Sequence, residues 1–211
     1  MKLAALITGG KDSLYSAYLA GKENSIEYII LLGSDEPNSH IVRQQAAMMG
    51  VPLIERKDSS IGELEQALEA VKNEIDGIVF GSVASTSKKM EIDALCKRLG
   101  LLPIAPLWHI DAKDYIQNMI SDGFEMIFVA ARQPLGKEWL GRKLDAQALF
   151  DLVKLNKKHG VNVSGEDGEY ETFVTDCPMF VRRIDVLWAE SSWNGGRGTY
   201  DIKKIELTSK T

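Results

Sequence analysis

The chain has 211 residues, 45% of them apolar and 26% charged, enough for one ordinary domain or a domain with a small appendage around a substantial core. With 25 basic against 30 acidic residues and a pI near 5.3, it lacks the broad positive field that grips nucleic acid, so no nucleic-acid partner is expected. Its 18 Gly and 6 Pro exclude collagen-like and low-complexity classes, and no apolar run reaches the roughly 20 residues of a membrane span.

In chain order, a compact apolar strand is predicted over residues 2–7, and Gly9-Gly10 turns it into a helix over residues 13–22. This start reads as a first strand, not a signal peptide, so a cytoplasmic protein is expected. A second strand over residues 26–32 leads through a polar loop, 33–39, into a helix over 41–50. A short extended run, 51–55, precedes an amphipathic helix over 61–73, with Ile61, Leu64, Leu68 and Val71 on one stripe. The apolar run between Gly77 and Gly81 has the character of a strand buried on both faces. A helix over 88–99, an extended stretch over 101–106, a helix over 111–121 and a strand over 126–130 follow. Strands separated by helices of this kind predict βαβ units, an α/β class and a parallel sheet with helices on both faces.

The rhythm changes after residue 145. A helix over 145–159 ends at Gly160, the stretch 161–178 is polar and acidic, and residues 180–207 are β-rich, with Asn194-Gly195-Gly196 as a hairpin turn. The expected organisation is a domain over residues 1–145 and a smaller C-terminal, β-containing part over residues 146–211, packed on the first.

Two motifs carry chemistry. Thr8-Gly9-Gly10-Lys11-Asp12-Ser13 follows the first strand and opens the first helix. Successive glycines let backbone N–H groups approach an anion, the helix N-terminus adds partial positive charge, and Lys11, expected at an exposed helix start, adds a point charge. Asp12 and Ser13 suit helix capping or metal contact. The spacing is neither the Walker pattern nor the dinucleotide G-x-G-x-x-G. The second motif, residues 165–174, packs Glu166, Asp167, Glu169 and Glu171 around Gly168 and Tyr170 and closes with Thr172-Phe173-Val174.

The first motif resembles the SGGKDS pyrophosphate loop of the N-type ATP pyrophosphatases, with Thr8 in place of Ser. The second is similar to the GE-x-GEYET-x-V signature of the diphthine–ammonia ligase family. Residues 103–108 (PIAPLW), 139–142 (WLGR) and 155–160 match that family too. Two loops depart from its pattern. In residues 33–40 only His40 matches, and after Gly81 the chain has Ser85-Thr86-Ser87-Lys88-Lys89 where the family has a Tyr-Gln pair and an Arg.

The resemblance implies a HUP/Rossmann-like fold and an AMP-forming ligase that joins ammonia to diphthine on the translation elongation factor, using ATP and magnesium. It places ATP on Thr8, Gly9, Gly10, Lys11, Asp12, Ser13, His40 and Gly81, with Lys11, Asp12 and Ser13 catalytic and Asp12 the magnesium contact. The acceptor carries a quaternary ammonium, which suits Trp108, Gly168, Glu169, Tyr170, Glu171 and Thr172, with Trp139 a further aromatic. Arg142 reads equally as a phosphate or carboxylate holder and as half of a structural ion pair. His109 and His159 read as ordinary, Cys96 as core, and Cys177 as lacking a base to activate it. Both motifs are expected at one end of the sheet. No stretch resembles a glutaminase, so ammonia is expected to arrive directly or from a separate partner. A homo-oligomer is compatible with the sequence. A tRNA-modifying ATP pyrophosphatase and a non-catalytic adenine-nucleotide-binding regulatory module are the alternative readings.

Overall fold

The computed structural model describes residues 1–35 and 37–210, so Glu36 of the loop after the second strand lies outside it. The chain forms two compact units, Met1–His109 and Ile110–Thr211.

In the first unit, β1 (Lys2–Leu6), β2 (Ser25–Leu32), β3 (Leu53–Arg56), β4 (Gly77–Phe80) and β5 (Leu102–Ile104) alternate with α1 (Lys11–Gly21), α2 (Ser39–Met49), α3 (Ile61–Val71) and α4 (Thr86–Leu99). The strands make one parallel sheet in the order β3-β2-β1-β4-β5. The two central strands, β1 and β4, are the ones buried along nearly their whole length, as a sheet covered on both faces requires. Ala4, Leu6, Ile78 and Phe80 face α3 and α4 through Leu64, Leu68, Ile92 and Leu95. Leu3 and Ala5 alternate with them and are also fully buried, so they serve the opposite face. This is the expected Rossmann-like α/β architecture.

Local chemistry sets the helix ends. The Ser60 hydroxyl accepts from the Glu63 amide at the start of α3, and Gly50 and Gly100 close α2 and α4 in the left-handed conformation. Helix α1 begins at Lys11, two positions before the expected start, so the lysine itself belongs to the helix.

The second unit holds α5 (Ala112–Ser121), β6 (Glu125–Arg132), α6 (Ala146–His159), β7 (Tyr170–Asp176), β8 (Arg182–Asn194) and β9 (Arg197–Ser209). Its sheet is antiparallel, in the order β7-β6-β9-β8. Here the structure corrects the sequence reading. The strand expected over residues 126–130 does not extend the parallel sheet; as β6 it pairs with β7 and β9. Accordingly the chain divides at His109, ahead of the break expected at residue 145. The physical reason lies in β5. It is three residues long, with Leu102 and Pro103 exposed, and a proline offers no N–H to a further strand.

A second difference concerns residues 161–178, which read only as polar and acidic, with no strand marked in them. Tyr170–Asp176 is strand β7, with only Glu171 exposed. The hairpin turn is as expected: Gly195 and Gly196 link β8 to β9 at φ of 58° and 81°, the twist that two-residue hairpin loops need. Asp145 caps α6, accepting from the Ala148 amide, and Gly160 ends it.

Candidate active site

The strand order reverses between β1 and β4, and the segments leaving their carboxyl ends meet there. In open α/β sheets such a switch point forms the binding crevice. From β1 comes the Thr8–Ser13 loop. Gly9 turns the chain at φ 84°, a conformation that suits glycine, and Gly10 is the N-cap of α1, offering no side-chain acceptor to the first helical amides. The Ser13 hydroxyl accepts from the Thr8 amide at 3.2 Å, donates to the Gly10 carbonyl at 3.1 Å and lies 3.3 Å from the Thr8 hydroxyl. Thr8 and Ser13 thus close the loop on itself. From β4 comes Gly81. A Cβ on it would fall 2.5 Å from both the Asp12 carbonyl carbon and the Ser13 nitrogen, so only glycine lets β4 abut the loop.

Lys11 departs from the sequence reading. It is 3% exposed rather than displayed on the surface, and its Nζ lies 2.7 Å from Asp12 Oδ2. The pair supplies one buried positive and one partly exposed negative group at the start of α1. Among the described residues no three or more His, Cys, Asp and Glu side chains gather to hold a metal. Asp12 alone fits the way magnesium is held in phosphate sites, by one or two carboxylates with phosphate oxygens and water.

Gln45 was not singled out from the sequence. It is fully buried on α2, and its Nε2 donates to the Gly9 carbonyl at 3.3 Å, steadying the turn. The signal was there in the polar residue on the Ile41, Val42, Ala46, Met48 stripe of α2. His40 stands exposed on the first turn of the same helix. Ser82, directly after Gly81, is 1% exposed with no hydrogen-bond partner for its hydroxyl among the described residues. Trp108 follows β5, half-buried, with His109 against its ring at 4.4 Å between centroids.

The acidic motif lies in the second unit. Tyr170 is buried, edge-on to Phe128 at 5.0 Å, and its hydroxyl donates to the Val163 carbonyl at 2.6 Å. The sequence reading set this ring in a cradle for a cation; the structure packs it in the core of its unit, where it anchors the loop. Glu169 is also buried, one oxygen accepting from the Asn162 amide. Asn162 further donates to Asp167 and accepts from the Ser164 amide and hydroxyl, making it a hub the sequence did not mark. Thr172 is buried on β7, while Gly168 and Glu171 are exposed. Trp139 is buried edge-on against Phe128. Arg142 resolves as structural: it binds Asp151 at 2.6 Å and lies over the Trp139 ring. Burial pushes the Cys96 thiol up to about 11 and the Cys177 thiol up to about 12, so both stay protonated and inert. No helix among the described residues is long and apolar enough to cross a membrane.

Comparison with known proteins agrees over almost the whole chain. Residues 1–103 match the diphthamide synthase N-terminal domain and residues 111–208 the diphthamide synthase C-terminal domain. The diphthine–ammonia ligase of Bos taurus is 34% identical, the match covering 88% of this chain and 83% of that protein. That of Mus musculus is 33% identical over 99% of this chain and 91% of its own. A crystal structure described as a predicted subunit of tRNA methyltransferase from Methanocaldococcus jannaschii is 20% identical, with a TM-score of 0.47 over 84% of this chain and 98% of that one. With both of its units matched, the chain belongs to the diphthine–ammonia ligase family.

Proposed function

We propose that the protein is an ATP-dependent, AMP-forming ligase that converts diphthine on the translation elongation factor to diphthamide with ammonia. One observation carries the reading: a glycine loop with a buried lysine stands where β1 and β4 part, closed against the backbone at Gly81. Carboxylates do not react with ammonia unaided. A carboxylate oxygen of diphthine attacks the α-phosphorus of ATP, and the bond to the bridging oxygen breaks with its electron pair leaving on pyrophosphate. Ammonia then attacks the carbonyl carbon, the bond to AMP breaks, and the surplus proton passes to solvent.

The loop's task is the first step, when negative charge builds on pyrophosphate. Amides at the start of α1 and the Lys11 ammonium are fixed in place beforehand, which is what makes such groups effective in a water-poor site. Asp12 has two roles in this reading, holding the Lys11 ammonium and offering a carboxylate to magnesium. Magnesium would supply further charge neutralisation on the phosphates. Gln45 and Ser13 keep the turn in shape, and His40 borders the adenosine side, past β2. Acceptor recognition draws on Trp108 in the first unit; within the second, Glu169, Tyr170 and Thr172 hold the exposed edge of the acidic loop, Gly168 and Glu171, in place from beneath.

The test is incubation with ATP and ammonium, with and without the diphthine-bearing factor. AMP released only when the factor is present supports the ligase. Tight nucleotide binding with no AMP would favour a regulatory module instead.

A further inference from the structure

Of the three aromatic residues the sequence offers to a quaternary ammonium, two are withdrawn: Tyr170 and Trp139 are packed inside the second unit. Trp108 remains. Its ring already has a cation over it, for Lys89 Nζ lies 5.4 Å from the ring centroid, within the range of cation–π attraction. Lys89 is held there by Asp93, whose Oδ2 is 2.5 Å away. The other Asp93 oxygen, Oδ1, is buried without a hydrogen-bond partner among the described residues. His109 backs the ring, and its own amide donates to the Val83 carbonyl at 3.0 Å with φ at 60°, so the segment after β5 is tied to the segment after β4. An aromatic face, a negatively charged carboxylate and a fixed backbone therefore stand together beyond β4 and β5, all within the first unit.

We propose that the Trp108 ring, backed by Asp93, seats the trimethylammonium group of the acceptor, and that Lys89 is the resident cation this group displaces. The assignment rests on the ligase reading given above. A trimethylammonium has no N–H to donate and is weakly hydrated, so it loses little on leaving water for a ring face. The lysine ammonium keeps Asp93 as its partner when it gives up the ring. Lys89 is then a competitor at the site, and removing its charge strengthens acceptor binding rather than weakening it.

The experiment compares the apparent KM for the diphthine-bearing factor and for ATP in wild type, Trp108→Leu and Lys89→Met. Expected are a rise in acceptor KM of about tenfold for Trp108→Leu and a fall of about threefold for Lys89→Met, with the ATP KM held within about twofold in both. An increased acceptor KM or ATP KM in Lys89→Met would mean that the lysine grips an anion, and would overturn the proposal, as would an unchanged acceptor KM in Trp108→Leu. If the wild-type protein forms no AMP with the factor, the ligase reading fails by itself. The ring site is then decided by titrating tetramethylammonium and following the Trp108 indole N–H by NMR. A shift that grows in Lys89→Met supports the site; no shift in either protein removes it.

Discussion

Gly81, leaving β4, and Asp12, in the first turn of α1, touch backbone to backbone: the space for a Gly81 side chain is filled by the Asp12 carbonyl group and the Ser13 nitrogen. This contact ties the end of β4 to the phosphate loop after β1, so the loop's shape depends on a residue far from it in sequence. Gly81→Ala puts a methyl group 2.5 Å from two backbone atoms that have no flexible end to yield. The loop must shift. ATP affinity should fall tenfold or more, in line with the roughly 1–3 kcal/mol that overpacking costs. Isothermal titration with ATP checks this, and unchanged affinity would separate Gly81 from the nucleotide site.

Lys11 is held ready by burial, with its ammonium on Asp12. Lys11→Met keeps much of the volume and removes the charge that matters as pyrophosphate departs. Turnover should drop by about 10²-fold, while the melting temperature changes little. AMP formation and a thermal melt on the same preparation decide it. Full activity in the folded variant would take Lys11 out of the reaction.

How much of this was legible beforehand follows from the range of the forces involved. The β1–Gly9-Gly10–α1 unit was readable because its signal is local: an apolar strand, a turn that needs glycine, a helix start. The glycine turn at 195–196 and the cap at Gly160 were readable for the same reason. The partners of β6 were not, since an apolar run such as Met126–Ala130 looks alike in parallel and antiparallel sheets. Choosing between them depended on β5 being short and carrying Pro103, which matters only once the sheet is assembled. Lys11 illustrates the same limit. A lysine beside two glycines reads as solvated, and only the packing of α1 among β1, β2 and β4 hides it. Tyr170 shows a different limit: its motif suggests a ligand, while the alternation Tyr170, Glu171, Thr172 marks a strand with tyrosine facing inward.

That burial makes Tyr170 a stability residue. Tyr170→Phe loses the hydroxyl bond to the Val163 carbonyl, worth about 1 kcal/mol, and should keep its acceptor KM. Tyr170→Ala empties a core position beside Phe128 and should cost about 3–5 kcal/mol. Urea unfolding of both variants measures this. A Tyr170→Ala protein as stable as wild type but with weakened acceptor binding would restore the ring to the substrate surface.

The Arg142–Asp151 pair yields a pH signature. The hydrogen bond from Arg142 holds the Asp151 carboxyl below its ordinary value, outweighing the opposing effect of burial. A carboxyl depressed in the folded state adds stability above its unfolded pKa, about 3.9, and loses that contribution as pH falls through the lower folded value. Both side chains are 29% exposed, so solvent screens the pair and its worth is at most about 1 kcal/mol. Asp151→Asn should therefore be slightly less stable than wild type at pH 7, with the gap closing below about pH 4 as the wild-type carboxyl protonates. Its ATP KM should not move, because Arg142 spends its guanidinium on Asp151 and the Trp139 ring. Paired thermal melts from pH 2 to 7 test the first part: a gap of the same size at both ends would place the stabilisation elsewhere. A raised ATP KM in the variant would return Arg142 to the phosphates.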